Sequence, residues 1–167
     1  MKLLKNLGLA CLTLTAVGCS TVSYQSMGIR GGYSEKQINE YTYRVHYSGN
    51  GSVTLEQAIE FALLRSAVIA HQQGVDTFTS AKYSANVSRT YAGTPGVYVN
   101  KPSVYLDISL SNEQATDKAV ACDKFASLFR LMAMQEAPRP VTHDTQRCIE
   151  QVQQKYQLTE QQIFDKK

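Results

Sequence analysis

At 167 residues, with 19% charged side chains and a formal charge of +3, the chain is long enough for one domain with a real core. Two of its lysines, Lys2 and Lys5, stand in a leader, and the 149 residues after position 18 carry 15 basic against 14 acidic side chains. That near-neutral balance excludes the strongly basic footprint of a nucleic-acid partner.

Met1-Lys2-Leu3-Leu4-Lys5 is a basic start, Leu7 to Val17 is a short apolar run, and Gly18-Cys19-Ser20 follows. This is the pattern of a secretory signal with small residues at the cut. A cysteine at the cut turns it into a bacterial lipoprotein signal. Ala16-Val17-Gly18-Cys19 resembles the lipobox, with Ala16 where leucine is usual. One competing reading is a secreted soluble protein with a chance cysteine at its cleavage site. Another is a transmembrane anchor, but the apolar run falls well short of the about 20 residues a span needs. The resemblance implies a signal peptide over residues 1–18, a diacylglycerol on the Cys19 sulfur and a third acyl chain on its amine. Ser20, where an aspartate would retain the protein at the inner membrane, implies delivery to the outer one. Each buried methylene contributes about 0.8 kcal/mol, and stable attachment takes more than one chain.

Residues 20–38, with Gly28, Gly31 and Gly32, read as a tether from the lipidated Cys19 to a domain over residues 39–167. Tyr41, Tyr43, Val45 and Tyr47 alternate with polar residues, the period of a half-buried strand, and Gly49-Asn50-Gly51 stops it. A helix follows, capped by Thr54 with Gln57 three residues on, and closed by Gly74 in the left-handed conformation. Its apolar residues cover most of the circumference, so it should pack on more than one side. Strands are expected from about Thr77 to Ser88 and from Ser103 to Leu110, joined through the turn-rich Tyr91-Ala92-Gly93-Thr94-Pro95-Gly96 as a long-tipped antiparallel hairpin. Ala119, Cys122, Phe125, Ala126, Phe129, Met132 and Ala133 recur at helical spacing until Pro138 and Pro140. A second C-terminal helix is expected from about Asp144 to Tyr156, with a last short turn over Thr159 to Phe164.

Of the four cysteines, Cys11 leaves with the leader and Cys19 is lipidated, which leaves Cys122 and Cys148. An even pair in an oxidising compartment points to a disulfide, worth about 3 kcal/mol on the chain-entropy model.

Gly32-Tyr33-Ser34-Glu35, Tyr43-Arg44-Val45, Gly49-Asn50-Gly51, Ala62-Leu63-Leu64-Arg65-Ser66-Ala67 and Lys101-Pro102-Ser103 together resemble an uncharacterised family of proteobacterial outer-membrane lipoproteins. Its signature is G-N-G followed by L-L-R-A-A. The resemblance runs from about Gly32 to Leu110. Ser66 departs from it where alanine is usual, and Val75-Asp76-Thr77-Phe78 replaces a more aromatic segment. It implies location and fold, and brings no activity with it.

Arg65 is the oddest polar residue, because its neighbours at three and four along the helix, Phe61, Ala62, Val68 and Ile69, are apolar. It is either an anion or carboxylate site, a buried ion pair with Glu40, Asp76 or Asp107, or a surface arginine reaching solvent. His46, His71 and His143 do not share metal-ligand spacing, and read as surface or hydrogen-bonded histidines rather than metal ligands. Nucleophile elbows, paired carboxylates, Cys–His signatures and nucleotide loops do not stand out, so neither an enzyme nor a cofactor is expected. Nine of the ten tyrosines lie between Tyr24 and Tyr105. Those on strands should pack, whereas Tyr91 and Tyr98 beside Gly and Pro should be exposed and form a binding surface, or else belong to an ordinary aromatic loop.

The expected architecture is a small α+β domain, with a three-stranded, mainly antiparallel sheet on one long helix and C-terminal helices stapled by Cys122–Cys148. The expected function is a non-enzymatic lipoprotein, anchored in the outer membrane through acylated Cys19 and facing the periplasm, that binds or scaffolds an envelope protein. The alternative is a cell-wall hydrolase or glycan-binding accessory protein.

Overall fold

The computed structural model describes residues 24–111, 118–133 and 139–164. The leader, Cys19, the first part of the expected tether and Pro138 lie outside the described residues.

The chain forms β1 (Gly32–Asn39), β2 (Thr42–Ser48), α1 (Leu55–Gln72), β3 (Thr77–Tyr91), β4 (Tyr98–Ser111), α2 (Cys122–Ala133), β5 (Val141–Asp144), α3 (Thr145–Tyr156) and α4 (Glu160–Phe164). All strand pairs are antiparallel, in the order β1-β2-β4-β3-β5. The fold is α+β with one antiparallel sheet, but among the described residues that sheet has five strands where three were expected.

The strand period decides the two faces. Tyr33, Tyr43, Val45, Tyr47, Val104, Leu106 and Ile108 are buried on one face, while Lys36, Arg44, Tyr105 and Ser109 alternate onto the other, exposed face. α1 packs on the buried face and also touches α2 and α3, so every residue from Ala58 to Ala70 is buried. The Thr54 side chain accepts a hydrogen bond from the Gln57 amide at 3.1 Å, and Gly74 takes φ +68°. Both ends of the helix therefore match their sequence signals.

β1 corrects the tether. Tyr24 is 2% exposed and packs on Tyr33 and Phe61, so the domain begins by residue 24 rather than 39. Gly31 and Gly32 have φ +92° and +137°, and a Cβ on Gly32 would lie 2.5 Å from the Gln25 carbonyl. They serve close backbone approach, not flexibility. β1 escaped notice because it is an edge strand with charged and amide side chains and an exposed second half. Tyr41 precedes β2 instead of opening it, and lies exposed in the β1–β2 turn.

In β3 a bulge between Ala81 and Ser84 places Lys82 at φ +50°. The extra residue lets Lys82 stay outside while Tyr83 turns inward onto Phe125 and Phe129. β5 is the other missed strand. Its four residues follow Pro140 and end at Asp144, which caps α3 by accepting a hydrogen bond from the Arg147 amide at 2.8 Å. The Cys122–Cys148 disulfide, with Cα atoms 5.2 Å apart, joins the start of α2 to α3.

Candidate functional site

β2 and β5 cover only part of the β3–β4 ladder. β2 pairing ends at Ser48–Ser103 and β5 reaches only Ser80. Five rungs beyond, from Val87–Pro102 to Tyr91–Tyr98, have no further strand beside them among the described residues and form a two-stranded arm. The Gly49 amide donates to the Pro102 carbonyl at 2.8 Å and steadies the base of the arm. At its end Tyr91 and Tyr98 are 52% and 50% exposed, with ring centroids 5.9 Å apart in an edge-on arrangement. The Arg89 guanidinium lies 4.5 Å over the Tyr98 ring, and Val87 and Val97 are exposed nearby. Gly93 and Gly96 supply the positive φ of the tip. Between Asp76 and Asp107 the chain has no acidic residue and three basic ones, Lys82, Arg89 and Lys101. The arm thus offers rigid aromatic area edged by cations, a surface suited to an anionic or aromatic counterpart.

The exposed sheet face carries a second arrangement. His46 stacks on Tyr105 with centroids 4.0 Å apart and planes 3° from parallel. Its Nε2 lies 3.0 Å from Ser103 Oγ and its Nδ1 lies 3.5 Å from Ser34 Oγ. Partial burial lowers the His46 pKa. Beside the stack, Arg44 donates two hydrogen bonds to Asp107 at 2.7 and 3.1 Å, and Lys82 Nζ is 3.4 Å away. The Arg44 hydrogen bond above all holds the Asp107 carboxyl below its usual range.

Arg65 belongs to neither. It is 1% exposed and donates from Nε and Nη2 to Glu35 at 3.0 and 2.6 Å, with its guanidinium 4.6 Å over the Tyr33 ring. Burial pulls its pKa down, but the hydrogen bonds to Glu35 and that carboxylate's charge, with Tyr24 and Tyr33 adjoining, outweigh it and raise it. The buried-pair reading holds with a different partner from the three expected. Glu35 was missed because it stands on β1, which read as tether. Asp107 is taken by Arg44 and Lys82, Glu40 accepts from the Tyr41 hydroxyl, and Asp76 lines a cleft elsewhere.

That cleft, of about 340 Å³, is lined among others by His71, Asp76, Asp144, Thr145 and Gln146. Asp144 is committed to capping α3, and no group of three or more metal-ligating side chains occurs among the described residues. A Ser–His contact of catalytic appearance also exists, with Ser80 Oγ 2.8 Å from His143 Nε2 and His143 Nδ1 3.0 Å from the Val120 carbonyl. Both residues are fully buried, and the Tyr83 hydroxyl donates to the Ser80 carbonyl beside them. Sealed in this way, the pair serves packing and hydrogen-bond satisfaction.

Sequence reasoning named Tyr91 and Tyr98 but passed over Arg89 and Lys101. The acid-free stretch between Asp76 and Asp107 is the signal that exposes them. It also passed over Glu60, a fully buried carboxylate on α1 that accepts from Lys155 Nζ at 2.8 Å and the Tyr156 hydroxyl at 2.5 Å. Neither a known family nor a curated protein nor a solved structure matches the chain.

Proposed function

We propose that this is a lipid-anchored envelope lipoprotein, held at the periplasmic face of the outer membrane by acylated Cys19, that acts by binding rather than by catalysis. The lipobox-like Ala16-Val17-Gly18-Cys19 supports the anchor. The observation that carries the binding role is the arm, where two half-exposed tyrosines, a stacked arginine and exposed valines gather on rungs that no other strand covers among the described residues. Tyrosine rings give contact area at low conformational cost, and the missing acidic residues bias the counterpart toward negative charge. Membership of the G-N-G…L-L-R-A-A lipoprotein family is part of the same proposal.

The test joins two measurements on the full chain in its native envelope. Metabolic acyl labelling should mark the wild type and not Cys19→Ala, which should leave the membrane fraction. A photo-crosslinking side chain at position 98 should give a discrete adduct that Tyr91→Ala abolishes. An unlabelled Cys19 would remove the anchor, and the absence of any adduct from position 98 would remove the binding role.

The second reading is a glycan-binding accessory protein of the cell wall, favoured by the His46–Tyr105 stack with its flanking Ser34 and Ser103 hydroxyls. A flat aromatic shelf edged by hydroxyls suits a sugar ring. Retention on purified peptidoglycan that is lost in Tyr105→Ser and kept in Tyr98→Ala supports it, and equal retention in both variants refutes it.

A further inference from the structure

We infer that the arm and the turn at Gly28–Gly31 form a single bilayer-docking end, and that the counterpart of the arm is the anionic lipid surface holding the Cys19 acyl chains. This deepens the binding role of the arm and rests on the lipid-anchor reading. Three observations carry it.

The first is chain length. Tyr24 is buried against Tyr33 and Phe61, which leaves five residue steps from Cys19 to a fixed point of the domain. Fully extended, five steps reach about 17 Å, less than the diameter of a domain this size. The domain cannot swing freely on so short a tether. The end where Tyr24 docks must face the membrane.

The second is topology. β1 starts at Gly32, which pairs with Ser48, and Ser48 pairs with Ser103. The arm projects beyond that same rung. Five rungs at about 3.4 Å each extend about 17 Å, matching the reach of the tether. The turn closes there too, because Gly28 and Gly31 exchange backbone hydrogen bonds at 3.2 and 3.0 Å, and Gly31 packs against the Ser48 carbonyl.

The third is surface chemistry. Ile29 at the tip of the turn is fully exposed, with Met27 also exposed and Arg30 beside it. The arm adds Tyr91, Val97, Tyr98, Arg89 and Lys101. Residues 20–34 contain no acidic side chain, like the stretch between Asp76 and Asp107. Tyrosines at headgroup depth, aliphatic tips just below and basic residues against phosphates are what a bilayer surface selects.

The absence of tryptophan supplies the probe. Tyr98→Trp, and separately Ile29→Trp, are introduced into the full acylated chain and reconstituted into phosphatidylethanolamine–phosphatidylglycerol vesicles containing brominated lipid. Tyr41→Trp, at the opposite end of the sheet, is the control. Tryptophan emission should shift to shorter wavelength and be quenched at positions 98 and 29, and do neither at 41. Arg89→Glu combined with Lys101→Glu should abolish the shift at 98 while the disulfide and circular dichroism stay unchanged. Equal quenching at 98 and 41 in a protein shown to be acylated overturns this inference and leaves the anchor standing. An adduct from position 98 to a protein rather than to lipid overturns it and leaves the binding role standing. A chain without acylation removes the anchor and this inference together.

Discussion

Arg65 and Glu35 form an ion pair whose members are unequally buried, with side chains 1% and 24% exposed. That inequality gives the pair a direction. Removing Glu35 leaves a charged guanidinium in the core, whereas removing Arg65 leaves a carboxylate that still meets water. Glu35→Gln should therefore cost about 3 kcal/mol and Arg65→Met clearly less, read from urea unfolding; equal losses would refute the buried-pair account. His143 carries a second residue-scale prediction. Burial pushes its pKa down to about 4, with Ser80, Tyr83, Phe78, Phe125 and the Val120 carbonyl around it. The unfolded imidazole titrates near 6.5, so at intermediate pH the unfolded chain binds the extra proton. Stability is full above about pH 6.5 and falls as pH drops toward 4, by up to about 3 kcal/mol. Asp107, with its depressed pKa, adds a loss of the same sign at lower pH. Unfolding free energies that stay level between pH 7.5 and 4.5 would contradict the neutral buried His143.

At the scale of elements, local signals served where the period was strong and failed where burial came from distant contacts. β2, α1 and the β3–β4 hairpin were legible because Tyr43, Val45 and Tyr47, the apolar circumference of α1, and Val104, Leu106 and Ile108 each repeat at their own spacing. β1 and β5 were not legible. β1 buries little of its own surface and holds its place through Glu35, Tyr33 and the packing of Gly31 and Gly32. β5 is too short to show a period, and its His143 is satisfied by Ser80 and Val120 from far along the chain. The site followed the same rule. Tyr91 and Tyr98 were visible as aromatics among turn residues, but that they sit on uncovered rungs depends on where β2 stops. The glycines give the sharpest test of β1. Gly32→Ala places a Cβ against the Gln25 carbonyl at a φ that L-residues avoid, and should destabilise by more than about 1 kcal/mol. A tether would register no change, so a midpoint of urea unfolding equal to the wild type would restore the tether reading.

Across the whole molecule the helices and the sheet end divide the work. The Cys122–Cys148 bridge closes a loop with a sequence separation of 26 and ties α2 to α3, both of which also pack on α1. Glu60 adds a tie between α1 and α3 through Lys155 and Tyr156. Both devices hold the helical layer, and neither touches the arm or the turn at Gly28–Gly31. Stability and docking should therefore separate. Replacing Cys122 and Cys148 together by alanine should lower stability by about 3 kcal/mol, while the Tyr98→Trp emission shift on vesicles stays unchanged at temperatures below the lowered midpoint. Arg89→Glu with Lys101→Glu should do the reverse, removing the shift and leaving the unfolding midpoint in place, because both side chains are exposed on rungs that carry no core residue. Loss of the vesicle shift in the still-folded disulfide variant would mean that the helical layer sets the position of the arm, and that the sheet end is not an independent docking surface.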